Sequence, residues 1–252
     1  MPPLSRRDFL AASGSAVALS VLPFPAAHQE RTGVAPDAQP LTILFQGDSI
    51  TDGGRDRKVV GPNVTAGLGS FYPLYIAGAM LAAHPERQLR FINRGVSGNT
   101  VPDLRARWET DTLAIKPDVL SILIGVNDLW HKLDGTFSGT VSDYERDFSA
   151  LLASTRAALP HVTLIVLEPF VLRTGHVNAR WFPEFDERRA VAARVAHGAK
   201  ARFIALQRMF DELSKHADPA YWAADGVHPT AAGNSAIAQH WMKEGGALDS
   251  SG

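Results

Sequence analysis

A serine that attacks a carbonyl needs a base, a group that orients the base, and donors for the oxyanion that forms. The chain offers a candidate for each. Ser49 lies in Gly47-Asp48-Ser49-Ile50-Thr51-Asp52-Gly53-Gly54-Arg55, a polar, glycine-rich stretch. It follows the apolar run Leu41-Thr42-Ile43-Leu44-Phe45, which reads as a buried strand. A serine just past the carboxyl end of such a strand stands where open α/β sheets bind ligands. Taken alone, Ser49 reads more simply as a turn serine bonding its own backbone. Asp225 and His228 sit in Asp225-Gly226-Val227-His228-Pro229, ahead of a helix. In a tight turn this spacing lets the carboxylate hold one imidazole nitrogen while the other takes a proton from a serine. A lone histidine before proline would be a cap, and the nearby Asp225 is what raises the alternative.

Two further stretches carry donors. They are Asn93-Arg94-Gly95-Val96-Ser97-Gly98-Asn99-Thr100 and Gly125-Val126-Asn127-Asp128-Leu129-Trp130. The backbone N–H of Gly98, the side-chain amide of Asn127 and the N–H of Ser49 make up the set that an oxyanion hole requires. Glycine suits the role because nothing blocks approach to its backbone. Singly, Gly98 reads as a turn glycine and Asn127 as a helix N-cap.

Convergence depends on the elements that carry these residues. Strands are expected at Leu41–Gly47, Leu89–Asn93, Asp118–Gly125, Val162–Leu167 and Arg202–Leu206. Helices are expected at Ser70–Ala83, Val101–Ile115, Ser142–Leu159 (capped by Ser142), Pro183–Lys200, Gln207–Lys215 and Pro229–Lys243. Glu168–Phe182 reads as irregular. Strands alternating with helices predict an α/β fold, a five-stranded parallel sheet between two helical layers. The flavodoxin-like order 2-1-3-4-5 puts strands two, one and three side by side. The loops bearing Gly98 and Asn127 then flank Ser49 on one edge.

The 252 residues fit one such domain, expected over 41–245 with a tail at 246–252. A hydrophobic share of 45% and a charged share of 20% are those of a globular protein. The net charge of −1 gives no global field for nucleic acid. With no cysteine, disulfides, thiolate metal sites and cysteine nucleophiles are excluded. The nine histidines are scattered without H-E-x-x-H spacing, so no metal is expected.

Residues 1–27 have the layout of an export signal. Arg6-Arg7 precedes the uncharged, mostly apolar run Phe9 to Leu22, and Pro23 to Ala27 follows, ending in small residues. That run is shorter than the roughly 20 residues of a membrane span, so no stable anchor is expected. Residues 28–40 read as a flexible leader, and the mature protein is expected outside the cytoplasm.

The motifs together resemble the SGNH, or GDSL-type, hydrolases. Gly47-Asp48-Ser49, Gly98, Gly125-Val126-Asn127-Asp128 and Asp225-Gly226-Val227-His228-Pro229 match the four blocks of that superfamily in order. The elbow G-x-S-x-G of α/β-hydrolases is absent. Within the superfamily, Gly47 to Arg55, Asn93 to Thr100, Leu104-Arg105-Ala106-Arg107-Trp108 and Ile124 to Trp130 look like the acetylxylan esterases. The resemblance implies a cofactor-free serine esterase that removes acetyl groups from xylan or xylo-oligosaccharides. Ser49 is then the nucleophile, His228 the base and Asp225 its orienter, with Ser49, Gly98 and Asn127 holding the oxyanion. Trp130 and Trp222 stand near the catalytic blocks as a sugar-stacking wall or as ordinary packing. Asp48 and Asp128 read as structural support. The partner implied is a small-molecule or oligosaccharide ester, and a homo-oligomer is left open. Rival readings on the same fold are a lysophospholipase, a thioesterase, a peptidoglycan O-acetylesterase and a non-catalytic carbohydrate-binding module.

Overall fold

The computed structural model describes residues 40–246. The expected signal at 1–27, all but the last residue of the leader and all but the first residue of the tail lie outside the described residues. Five parallel strands form the sheet: β1 (Leu41–Gly47), β2 (Leu89–Asn93), β3 (Val119–Leu123), β4 (Thr163–Leu167) and β5 (Arg202–Ile204). Their order is β2-β1-β3-β4-β5, as expected, with β1 paired to both β2 and β3. All four pairings are parallel. The carboxyl ends of β1, β2 and β3 therefore open side by side on one edge.

The helices are α1 (Ser49–Asp52), α2 (Thr65–Leu68), α3 (Tyr72–Ala83), α4 (Val101–Ala106), α5 (Trp108–Asp111), α6 (Val126–Leu133), α7 (Val141–Ala158), α8 (Glu184–Gly198), α9 (Leu206–Leu213), α10 (Pro219–Trp222) and α11 (Ala231–Gly245). Successive strand side chains point to opposite faces, which divides the core in two. Ile43 and Phe45 of β1 join Tyr72 and Ile76 of α3, Phe210 of α9 and Trp241 of α11. Leu44, between them in sequence, joins Leu104 of α4, Phe148 of α7 and Val191 of α8 on the other face. Each such side chain contributes about 1.5–3 kcal/mol on burial. Two of the buried indoles satisfy their polar atoms across the core. Trp241 Nε1 donates to Ser121 Oγ at 2.9 Å, and Trp108 Nε1 donates to Thr155 Oγ1 at 2.9 Å.

Several element boundaries differ from expectation. The helix expected over Val101–Ile115 is broken into α4, α5 and a 3-10 turn at Leu113–Ile115. The first break falls at Arg107, whose backbone leaves the helical region at φ −112°, ψ 8°. There its guanidinium turns inward to Asn99, Gln46 and the carbonyls of Arg94 and Gly47. The cap of α7 is Thr140 rather than Ser142: Thr140 and Asp143 form a reciprocal capping box. α11 starts at Ala231 under a Thr230 cap, beyond Pro229. The Asn127 block opens α6 directly, with Gly125 as its cap.

Candidate active site

β1 ends at Gly47 and the chain turns at once into α1. Asp48 caps this single turn, its Oδ1 accepting from Ile50 N at 2.9 Å. Ser49 is the first residue of the turn, half-buried at the edge. Its Oγ lies 2.8 Å from His228 Nε2. His228 Nδ1 lies 2.7 Å from Asp225 Oδ2. The other carboxylate oxygen, Oδ1, accepts from Val227 N at 2.9 Å and from His228 N at 2.7 Å. The turn thus fixes its own carboxylate before the imidazole is added. Partial burial works against the Asp225 charge, but the His228 ring and the two amides outweigh it and hold the carboxyl below its usual range. It stays ionised at neutral pH.

The Glu168–Phe182 segment supports this turn from behind. Leu172 N donates to Gly226 O at 2.8 Å and His176 N donates to Asp225 O at 2.9 Å. Trp130, on α6, has its ring 6.1 Å from that of His228, 5.5 Å from His176 and 5.7 Å from Trp181. Trp222 is placed differently. Its ring packs edge-on to Tyr221 at 4.9 Å and against the first core, and its carbonyl accepts from Thr230 N at 2.9 Å just before α11.

The donor candidates come from three elements. Gly98 has φ +83°, which L side chains rarely adopt, although a Cβ there would meet nothing within 4 Å. Conformation, rather than lack of space, calls for glycine. Asn127 is the second residue of α6, and its Nδ2 donates one hydrogen to Asn99 O at 3.1 Å. An amide nitrogen carries two hydrogens, so one is left to aim at a ligand. Around these donors lie two buried carboxyls. Burial pushes Asp48 up to about 7, and the neighbouring Asp128 charge adds to the rise. Burial pushes Asp128 up to about 6.

Residues that were not singled out as candidates hold this edge together. Arg107 Nη1 donates to Gln46 Oε1 at 2.9 Å and to Arg94 O at 2.7 Å, and its Nε donates to Asn99 Oδ1 at 2.7 Å. Asn93 Nδ2 donates to Thr51 O at 2.6 Å and to Leu68 O at 2.8 Å. The signal for them was present: Gln46 and Asn93 are polar residues in buried strands, where a polar group must find a partner. Among the described residues, no group of three or more His, Asp or Glu is placed to hold a metal. No helix among them is long and apolar enough to cross a membrane.

A parallel sheet in this order, with these four blocks gathered at its carboxyl edge, defines a hydrolase of the SGNH type. The chain belongs to the GDSL-like lipase/acylhydrolase family, whose sequence profile matches residues 45–236. It is a carboxylic ester hydrolase. It is 36% identical over 206 residues to an acetylxylan esterase of Geobacillus stearothermophilus, covering 80% of this chain and 92% of that one. The crystal structure of that enzyme superposes with a TM-score of 0.73, over 81% of this chain and 93% of that one. Two further structures of it are catalytic mutants, with a histidine and a serine respectively replaced by alanine. A GDSL-like lipase from Parabacteroides merdae is 45% identical, with a TM-score of 0.80, covering 82% of this chain and 96% of that one.

Proposed function

We propose that the protein is a serine esterase that removes acetyl groups from acetylated carbohydrate, with xylan or xylo-oligosaccharides as the substrate class. The observation that carries the chemistry is the unbroken line from Ser49 Oγ through His228 to Asp225. The Asn127 amide is tied to the loop of Gly98 through the Asn99 carbonyl. Ser49 attacks the acetyl carbonyl as its proton passes to His228 Nε2. The N–H groups of Ser49 and Gly98 and the amide of Asn127 take the oxyanion. Asp225 stabilises the imidazolium that results. Collapse breaks the ester bond, and the leaving sugar hydroxyl takes the proton from His228. Water then repeats the sequence on the acetyl-enzyme and releases acetate.

The sugar reading rests on the acetylxylan esterase relative and on Trp130, whose half-buried ring stands next to His228 as a surface for a pyranose. Initial rates on acetylated xylo-oligosaccharides, beside aryl esters of two to about eight acyl carbons, test it. Highest kcat/KM on acetyl esters, with release of acetate from the oligosaccharide, is the expected result. A rate that rises with chain length assigns the protein to the lipase side of the family instead. We also propose export through the twin-arginine pair Arg6-Arg7, with a mature chain beginning near His28. Mass spectrometry of the protein from its native host checks this: a cytoplasmic chain that keeps residues 1–27 would refute it.

A further inference from the structure

Three donors converge on one oxyanion only if three separate pieces of backbone are held in register. Ser49 begins α1, Gly98 lies in the loop after β2, and Asn127 lies in the first turn of α6. The loop is the least regular of the three, and each flank of it is held by a buried carboxyl from one of the other two elements. Asp52 is the last residue of α1. Its Oδ2 accepts from Ser97 N at 2.8 Å and from Ser97 Oγ at 3.0 Å, immediately before Gly98. The backbones there run so close that a Cβ on Gly95 would collide with the main chain of Asp52. Asp128 is the third residue of α6. Its Oδ1 accepts from Val101 N at 3.2 Å, just beyond Gly98, and its Oδ2 has no hydrogen-bond partner among the described residues.

We propose that Asp52 and Asp128 are positioning residues of the oxyanion site, each clamping one flank of the Gly98 loop to an element that carries another donor. The inference rests on the oxyanion reading of Ser49, Gly98 and Asn127. Neither carboxyl touches the reacting ester. Their work is to aim the Gly98 N–H at the point where the other two donors already aim. The two clamps differ in what meets the carboxyl. Burial opposes the Asp52 charge, but the Arg57 guanidinium at 2.7 Å and the Ser97 donors outweigh it and hold that carboxyl below its usual range. Asp52 therefore clamps as an anion. Asp128 lacks a direct ion pair, and the Val101 bond needs only an acceptor oxygen, which an amide also supplies.

The test is kinetic, on the whole enzyme with an aryl acetate. Asp52→Ala and Asp128→Ala are each expected to lower kcat by roughly tenfold to a hundredfold, since a misaimed donor loses much of its stabilisation. KM should stay within about threefold of the parent, because the loss falls on the transition state. A boronic acid that mimics the tetrahedral intermediate should bind more weakly by the same factor as kcat/KM falls. A merely structural defect would not produce that proportionality. Asp128→Asn, which keeps the acceptor, should recover most of the rate. Should Asp128→Ala fail to fold, Asp128→Leu, close to the carboxyl in shape but without an acceptor, deletes the same bond while filling the buried space. It should show the same split between kcat and KM. The inference is overturned if both alanine variants keep kcat within about threefold of the parent, if Asp128→Asn is as impaired as Asp128→Ala, or if boronate affinity does not follow kcat/KM. Ser49→Ala separates the two levels. Activity surviving in that variant overturns the nucleophile reading itself, whereas an inactive Ser49→Ala beside unimpaired Asp52 and Asp128 variants overturns only the clamps.

Discussion

The two halves of the candidate site are built in opposite ways. The acid–base half is local. Asp225 and His228 are three residues apart, and the carboxylate is fixed by amides two and three positions along the same turn. The oxyanion half is assembled from three strands' ends. Its ties span 45 residues from Ser97 to Asp52, 27 from Val101 to Asp128 and 28 from Asn127 to Asn99. The carboxylate's partners lie within the turn itself, although Leu172 and His176 hold the turn's backbone from behind. A non-local donor set exists only once β2, β1 and β3 lie side by side: parallel pairing puts their loops on one edge, and this order makes the three loops neighbours. The base is thus held by a motif, and the oxyanion by the fold.

Substitutions in each half should separate them. In the local half, Asp225→Asn keeps the shape of the turn but loses the charge that stabilises the imidazolium. Its kcat is expected to fall about 10⁴-fold, measured with an aryl acetate; a fall below tenfold would mean that Asp225 serves only the turn. In the non-local half, Asn127→Ala should lower kcat by about 10²–10³-fold with KM little changed. If KM rose while kcat held, Asn127 would be a ground-state binding residue. Trp130 lies between the halves, on the oxyanion helix and against the base. Trp130→Ala should cost several-fold to roughly tenfold in kcat/KM on acetylated xylo-oligosaccharides, the order of one lost stacking surface. An aryl acetate should be nearly indifferent, and equal losses on both substrates would remove the sugar-platform role.

The smallest effect is on stability. Asp48 is raised from 3.8 to about 7 in the folded protein. The folded chain then binds that proton more tightly than the unfolded chain does. Its contribution to stability is present below the unfolded value and is lost as pH rises towards the folded one. Between pH 5 and pH 8 the melting temperature of the parent should fall by roughly a few degrees more than that of Asp48→Asn. Equal slopes, measured by thermal unfolding at both pH values, would show that Asp48 ionises normally.

The same division decides what could be read in the sequence. β1 and β2 were legible to the residue because they are short apolar runs bounded by polar, glycine-rich stretches. The alternation of strands and helices predicted the parallel sheet, and the flavodoxin-like order chosen for it is the order found. The Asp225-x-x-His228 spacing was legible because the interaction it encodes lies within one turn. The carboxyls that tie Ser97 and Val101 were not, because nothing local to Asp52 or Asp128 marks a partner dozens of residues away. The break at Arg107 was hidden for a similar reason. Its neighbours favour a continuous helix, and the guanidinium's long-range bonds to the ends of β1 and β2 override that preference. Thr140 took the cap of α7 from Ser142: each heads a capping-box spacing, Thr140 with Asp143 and Ser142 with Glu145, and the structure closes the first.

The most direct test of the central claim is to trap the acyl-enzyme step. The purified enzyme is treated with a serine-directed aryl phosphonate, and the adduct is located by intact-mass and peptide mass spectrometry, with His228→Ala alongside. One phosphonyl group per chain, mapped to Ser49, formed rapidly in the parent and far more slowly in His228→Ala, is the expected result. No adduct, an adduct on another serine such as Ser97, or equal labelling with and without His228 would contradict it.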